Sequence, residues 1–224
     1  MSIKKQLAAE AAIEMIEDGM IVGLGTGSTS SIAIDLIGKK VSEGLNILGI
    51  PTSKASENQA TSLGIPLTSL STHPSIDLAI DGADEVSPSL DLIKGLGGAL
   101  VREKIVENQS KKLVIIIDDS KLVPQLGACP LPVEIIFFGH ESTSTSLASL
   151  GCTPVLRMDG DKPFISDNGN VIYHCTFPNA ISNPSDLALK IEKIPGVVTS
   201  GLFVNMADIV LVGSDDGLQT LKRS

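Results

Sequence analysis

The chain has no tryptophan, one tyrosine and five phenylalanines, so aromatic residues make up only 3% of its 224 positions. A core must therefore be built from Leu, Ile, Val and Ala, the residues that fill strands buried on both faces of a parallel sheet. Basic residues are also scarce. Seventeen Lys plus Arg stand against 26 Asp plus Glu, a net charge of -9, and no basic run is present to neutralise a row of phosphates. Nucleic acid is thus excluded as an expected partner. A phosphate ester is not, because backbone N–H groups and one or two nearby cations outweigh distant, screened charge.

Other absences narrow the field further. Cys129, Cys152 and Cys175 are widely spaced and form no CxxC pair, so they read as small core residues in a reducing compartment. His73, His140 and His174 are scattered with no second ligand at i+2 or i+4, which predicts neither a metal site nor a cofactor dependence. The opening MSIKKQLAAEAAIEMI lacks the apolar core and cleavage site of a signal peptide. No apolar run approaches the ~20 residues of a membrane span. A cytoplasmic protein is expected.

What is present is a 42% hydrophobic chain of alternating short apolar runs and helical patterns. A helix over 4–17 ends at Asp18-Gly19, and IVGLG at 21–25 reads as a buried strand. The Gly/Ser/Thr-rich turn TGSTSS and a helix stopped by Gly44 follow it, and LNILGI at 45–50 is the next strand. KASENQATSLG reads as helix, IDLAI at 76–80 as strand, 99–108 as helix and LVIII at 113–117 as strand. This alternation predicts an α/β fold, a mostly parallel Rossmann-like sheet flanked by helices, over residues 1–128 and 201–224. Between them, residues 129–200 change texture and predict a smaller α+β domain of antiparallel strands and two helices, with DNGN at 167–170 supplying positive-φ residues of a hairpin. GLFVNMADIVLVGS at 201–214 is expected to return to the first sheet.

Three motifs carry chemistry. GLGTGSTS at 23–30 stands between a strand and a helix, where N–H groups and the helix dipole converge on an anion. It departs from a dinucleotide fingerprint at Ser28 and from a Walker loop by lacking Lys, so Thr26, Gly27, Ser28 and Thr29 are candidate phosphate ligands; the plain alternative is a capped Gly/Ser turn. DGADEV at 81–86 puts Asp81, Gly82, Ala83 and Asp84 at the carboxyl edge of the sheet, as hydroxyl-binding groups or as a solvated turn. KGLGGALVREKIVE at 94–107 brings Lys94 and the backbone of Gly95, Leu96 and Gly97 before a helix that carries Glu103, with Ala99, Leu100, Val101 and Ile105 available for packing. Its plain alternative is a surface helix with Arg102, Glu103 and Lys104 exposed.

Together these residue types suit aldose–ketose isomerisation of a phosphorylated sugar. That chemistry needs a carboxylate base, here Glu103, and a cation or N–H group, here Lys94, to hold the enediolate oxygen. The phosphate anchors the substrate at a distance from the reacting carbons. Asp81 and Asp84 then orient hydroxyls and assist ring opening. Ser28 has no His or Lys base beside it in sequence, so a serine nucleophile is not expected.

These motifs, with DDSKLV at 118–123, LPVE at 131–134, DNGN at 167–170 and PGVVTSGLF at 195–203, resemble in order the type A ribose-5-phosphate isomerases across essentially the whole chain. The resemblance implies reversible conversion of D-ribose 5-phosphate to D-ribulose 5-phosphate in the pentose phosphate pathway, without metal or organic cofactor. It further implies Glu103 as proton acceptor, substrate contacts from 26–29, 81–84, 94–97 and Lys121, and a homodimer or homotetramer with subunit contacts from the second domain. Leu96, where members often have Gly or Arg, and FFGHES at 137–142 depart from the family pattern. Two other readings compete: a non-catalytic phosphosugar-binding module, although no basic helix-turn-helix segment accompanies it, and a coenzyme A transferase-like acyl transfer through a glutamate.

Overall fold

A computed structural model describes residues 2–223. In chain order its first elements are α1 (Ile3–Ile13), β1 (Ile21–Leu24), α2 (Ser28–Ser42), β2 (Leu48–Pro51), α3 (Lys54–Ser62), β3 (Leu78–Asp81), β4 (Glu85–Val86) and β5 (Leu92–Ile93). There follow α4 (Leu100–Asn108), β6 (Leu113–Asp118), β7 (Leu131–Ile135), α5 (His140–Ala148), β8 (Thr153–Leu156), β9 (Met158–Asp159) and β10 (Lys162–Pro163). The last are β11 (Val171–Thr176), α6 (Pro184–Glu192), β12 (Val197–Ser200), β13 (Leu202–Phe203), β14 (Ile209–Ser214) and β15 (Gly217–Lys222).

The chain divides into two compact units. The first comprises the residues up to Ala83, Arg102–Lys121 and those from Met206 onward. Its six-stranded sheet has the order β15-β14-β6-β3-β1-β2, parallel except for the β14–β15 hairpin. Val22, Leu24, Ile80, Val114 and Ile116 from the strands pack with Ala8, Ala9 and Ala12 of α1 and Ile34 and Ile37 of α2. The alanine face of α1 lets the helix approach closely, and at Gly213 a Cβ would lie 2.6 Å from the carbonyl carbon of Lys4, so α1 lies directly on β14. Val106 of α4 joins a second cluster with Ile50 and Ile76. From β1 the chain runs through α2 to β2 on one side, whereas β3 adds to the other side of β1. The carboxyl ends of β1 and β3 are therefore a topological switch point, where open α/β sheets bind ligands.

The second unit comprises Asp84–Val101 and Leu122–Asn205. It contains an antiparallel sheet of order β12-β7-β11-β8, a small sheet β13-β5-β4 and the ribbon β9–β10. Leu131, Val133 and Ile135 pack with Val171, Tyr173, Leu147 of α5 and Ile191 of α6. Glu134 on β7 is fully buried, and its Oε1 accepts hydrogen bonds from Ser166 (2.8 Å), Asn168 (3.1 Å) and Asn170 (2.8 Å), which ties down the DNGN turn.

The α/β architecture matches the sequence reading, with differences in detail. The second unit takes 84–101, 122–128 and 201–205 in addition to the expected 129–200, because β5 pairs with both β4 and β13 and Val86 bridges to Leu122. Only 209–214 of the 201–214 stretch returns to the first sheet. In the DNGN turn only Gly169, with φ 82, is left-handed. Ile105 is half exposed instead of packed. All three cysteines are free thiols, Cys152 and Cys175 buried. Among the described residues no helix is long and apolar enough to cross a membrane.

Asp77 ties the start of β1 to β3: it accepts the Ile21 N–H at 2.8 Å and pairs with the Lys111 ammonium at 2.7 Å. The Ile21 N–H, followed by Lys111, holds its carboxyl below the ordinary range, and burial opposes them. A depressed folded-state pKa contributes stability that is complete above the unfolded carboxyl range and disappears as pH falls through the folded value. Asp77→Asn should therefore cost about 1–2 kcal/mol at neutral pH. Urea unfolding at stepped pH should show the difference from the parent shrinking toward acid; a constant difference would contradict this account.

Candidate active site

In the first unit, β1 runs into Gly25, whose N–H bonds the Ile80 carbonyl at 3.0 Å. Gly25 has no room for a side chain, since a Cβ would overlap the Asp81 carboxylate and sit 2.6 Å from Asp81 Cα. Asp81, only 1% exposed at the end of β3, accepts on Oδ1 from the Thr26 N–H (2.9 Å), the Ser30 hydroxyl (2.8 Å) and the Gly82 N–H (2.6 Å). The Thr26 hydroxyl turns inward to Thr52 (2.7 Å), Ser53 (2.8 Å) and Ser56 (2.9 Å), so with its N–H on Asp81 neither donor of Thr26 is left for the phosphate contact expected of it, and the residue shapes the turn instead. Gly27, at φ 109, makes the turn that starts α2. No side chain caps this helix, and the first inward backbone bond is Ser31 N–H to Gly27 O at 2.8 Å. The first-turn N–H groups of Ser28, Thr29 and Ser30 are left to an anion, aided by the dipole of a 15-residue helix. Thr29 is buried and Ser28 is exposed.

Lys5 completes this edge. Its ammonium donates to Ser28 Oγ at 2.8 Å, although it lies 23 residues upstream on α1. Sequence reasoning found no lysine near Ser28 because only the folding of α1 beside the sheet makes them neighbours. At the end of β6, burial pushes the Asp118 carboxyl up. Hydrogen bonds from Ser120 and the ammonium groups of Lys5 and Lys121 outweigh it, leaving the group below its ordinary range. Lys121 closes the 3-10 turn Asp119–Lys121 and is half-buried. Glu103, on the first turn of α4, is 4% exposed, so the plain reading of an exposed Arg-Glu-Lys triplet fails. Glu107, one turn on and on the same helical face, is also buried, at 2%. It was not singled out in the sequence, where it reads as one more helix-surface acid.

In the second unit, Asp84 donates its N–H to Ile93 O (2.8 Å) and accepts the Leu96 N–H on Oδ2 at 2.9 Å. Leu96 thus contributes through its backbone, so its departure from the family pattern leaves that bond intact. Gly95 (φ 97) and Gly98 (φ 96) close a tight turn, with Gly98 N–H bonded to Gly95 O at 2.9 Å and Gly97 exposed between them. Lys94 is 2% exposed, its N–H on Gly201 O at 2.9 Å and its ammonium 5.4 Å from the centre of the Phe203 ring. Glu85, the third acid of DGADEV, binds the N–H groups of Gly127 and Cys129 and acts as a structural staple. Ala83 and Gly82 are half-buried. Among the described residues no group of three or more His, Cys, Asp or Glu side chains could hold a metal ion.

The family described as ribose 5-phosphate isomerase A (phosphoriboisomerase A) matches residues 48–217. The chain is similar to the ribose-5-phosphate isomerase A of Bacillus mycoides, 52% identical over 96% of this chain and 97% of the relative. It is 51% identical to that of Gluconobacter oxydans over 98% and 96% of the two chains. Among solved structures, a D-ribose-5-phosphate isomerase in complex with phospho-erythronic acid superposes with a TM-score of 0.94 at 40% identity, covering 98% of this chain and 97% of its own.

Adding a methyl group at Gly25 must displace the Asp81 backbone. Gly25→Ala should destabilise the protein by about 1–3 kcal/mol, the usual cost of overpacking. An unchanged urea midpoint would show that the turn has room to move.

Proposed function

The chain belongs to the ribose 5-phosphate isomerase A family, and from that premise we propose how its residues share the interconversion of D-ribose 5-phosphate and D-ribulose 5-phosphate. It is an aldose–ketose isomerase. The reaction moves a proton between C2 and C1 of the open-chain sugar through an enediolate, which needs a base and a stabiliser of the developing oxyanion.

Glu103 takes the C2 proton and returns it to C1. The observation that carries this assignment is its burial, 4% exposed within a charged triplet on a first helical turn. A base shielded from water keeps the proton for return instead of losing it to solvent. Lys94 and the N–H groups of Gly95 and Gly97 hold the enediolate oxygen, the Leu96 N–H being given to Asp84. The phosphate rests on the uncapped start of α2, residues Gly27–Thr29, with Thr26 shaping the turn and Lys5 and Lys121 supplying positive charge. Asp84 and Asp81 orient sugar hydroxyls and assist ring opening, Asp81 also shaping the cradle through Oδ1. The ligand of the solved relative, phospho-erythronic acid, pairs a phosphate with a carboxylate. A carboxylate is planar and delocalises its negative charge as an enediolate does, and this likeness supports the reading. The sensing-module and acyl-transfer readings give way to family membership.

We further place the enzyme in the cytoplasm, in the pentose phosphate pathway, as a homodimer or homotetramer that needs no metal. Phe137 and Phe138, 54% and 89% exposed after β7, support subunit contact through the second unit. Phe138→Ser should then lower the mass measured by light scattering, and an unchanged assembly would remove this surface from the interface.

Glu103→Gln should retain binding of ribose 5-phosphate while kcat falls by about 10²–10⁴-fold, the typical worth of a positioned general base. Parent turnover should persist in EDTA. Full activity of the variant would sink the assignment of the base.

A further inference from the structure

Within the second unit, the loop Lys94–Gly98 is held from its far side by a side chain that no motif contains. Arg157 donates from Nη1 to the Leu96 carbonyl at 2.8 Å. Its guanidinium lies over the Phe164 ring, 3.8 Å from the ring centre. The two residues are locked together by the Phe164 N–H on Arg157 O at 2.9 Å, with the β9–β10 ribbon between them, and the Arg157 N–H is fixed to Ile172 O at 2.8 Å. They also fill the space beside Gly98, where a Cβ would stand 2.7 Å from Phe164 Cζ and 2.9 Å from Arg157 Nη1.

We propose that Arg157, held flat by Phe164, is a positioning residue for the isomerisation: it clamps the Leu96 carbonyl so that the Gly95 and Gly97 N–H groups stay aimed at the enediolate oxygen. The inference rests on the role given above to Lys94–Gly97. Each face of the Leu96 peptide segment is fixed by one charged group, the Leu96 N–H by Asp84 at 2.9 Å and the Leu96 carbonyl by Arg157 at 2.8 Å. Fixing both donor and acceptor leaves this backbone little freedom to rotate, which is how donors become preorganised for charge that develops only in the transition state. A guanidinium suits the task because it is planar, stays charged at neutral pH and stacks on an aromatic face while donating in its own plane. A lysine ammonium has no such plane. Burial first and the Arg157 guanidinium second hold the His174 imidazole below its ordinary range, with Asp84 opposing.

The test uses the full-length enzyme with three readouts. In Arg157→Ala, kcat should fall about 10- to 100-fold, in line with the effect of misplacing a catalytic contact by an ångström, with KM within about threefold because ground-state phosphate contacts are untouched. Deuterium exchange of the 94–98 amides should quicken. Millimolar methylguanidine should restore kcat several-fold, which it would not do for a side chain needed only for folding. Should Arg157→Ala fail to fold, Arg157→Lys serves instead and should show the same kcat loss and faster exchange. Unchanged exchange in the folded variant overturns the clamp. Faster exchange with parent kcat leaves the clamp standing and overturns the role of the 95–97 turn in catalysis.

Discussion

One oxygen of Asp81 receives hydrogen bonds from the Thr26 N–H, the Ser30 hydroxyl and the Gly82 N–H, and the anion cradle is shaped around that point. Pulling Thr26 and Ser30 toward one buried carboxylate bends the chain sharply after β1 and sets where α2 begins. The first-turn N–H groups then stay uncapped by any side chain of the helix itself. Gly25 is the steric condition for the arrangement, since any larger residue would occupy the carboxylate's place. A negative side chain can thus stand beside the site proposed for a negative ligand, because it is satisfied by its own donors and leaves the dipole and first-turn N–H groups of α2 uncommitted.

The same logic of satisfied acids recurs in the second unit. Asp84 accepts from Leu96, Glu85 from the 127–129 backbone, and Glu134 from Ser166, Asn168 and Asn170. Buried carboxylates persist only when donors compensate for lost hydration. In each case the compensation fixes the position of a loop. The net charge of -9 is therefore compatible with phosphate chemistry: these acids are spent on backbone geometry, and the field at the ligand is set by nearby N–H groups and lysines.

Much of the fold was legible because apolar runs such as IDLAI and LVIII alternate with amphipathic stretches, and hydrophobic period is a local property of sequence. The acids and glycines of the site were legible for a related reason: a tight turn at a strand end demands particular residue types at fixed offsets. The partition between the units was not, since β5 and β13 pair Ile93 with Leu202 across more than a hundred residues, and both strands are two residues long. Ile105 looked like a packing residue by composition yet is half exposed, because α4 turns its Val106 side to the core.

By itself the sequence determined the α/β class, the Gly/Ser/Thr turn at 26–29 between a strand and a helix, the acids at 81 and 84 by a strand end, and the placing of Lys94 and Glu103 in the proposed site segment, because each rests on residue type at short spacing. Only the tertiary structure decided which of those groups are committed and to what. It buried Glu103, turned the Thr26 hydroxyl inward, gave Oδ1 of Asp81 to the cradle, set Lys5 against Ser28 and laid Arg157 on Leu96. Those contacts join residues far apart in the chain, and hydrogen bonds and burial depend on distances in space that no local pattern encodes.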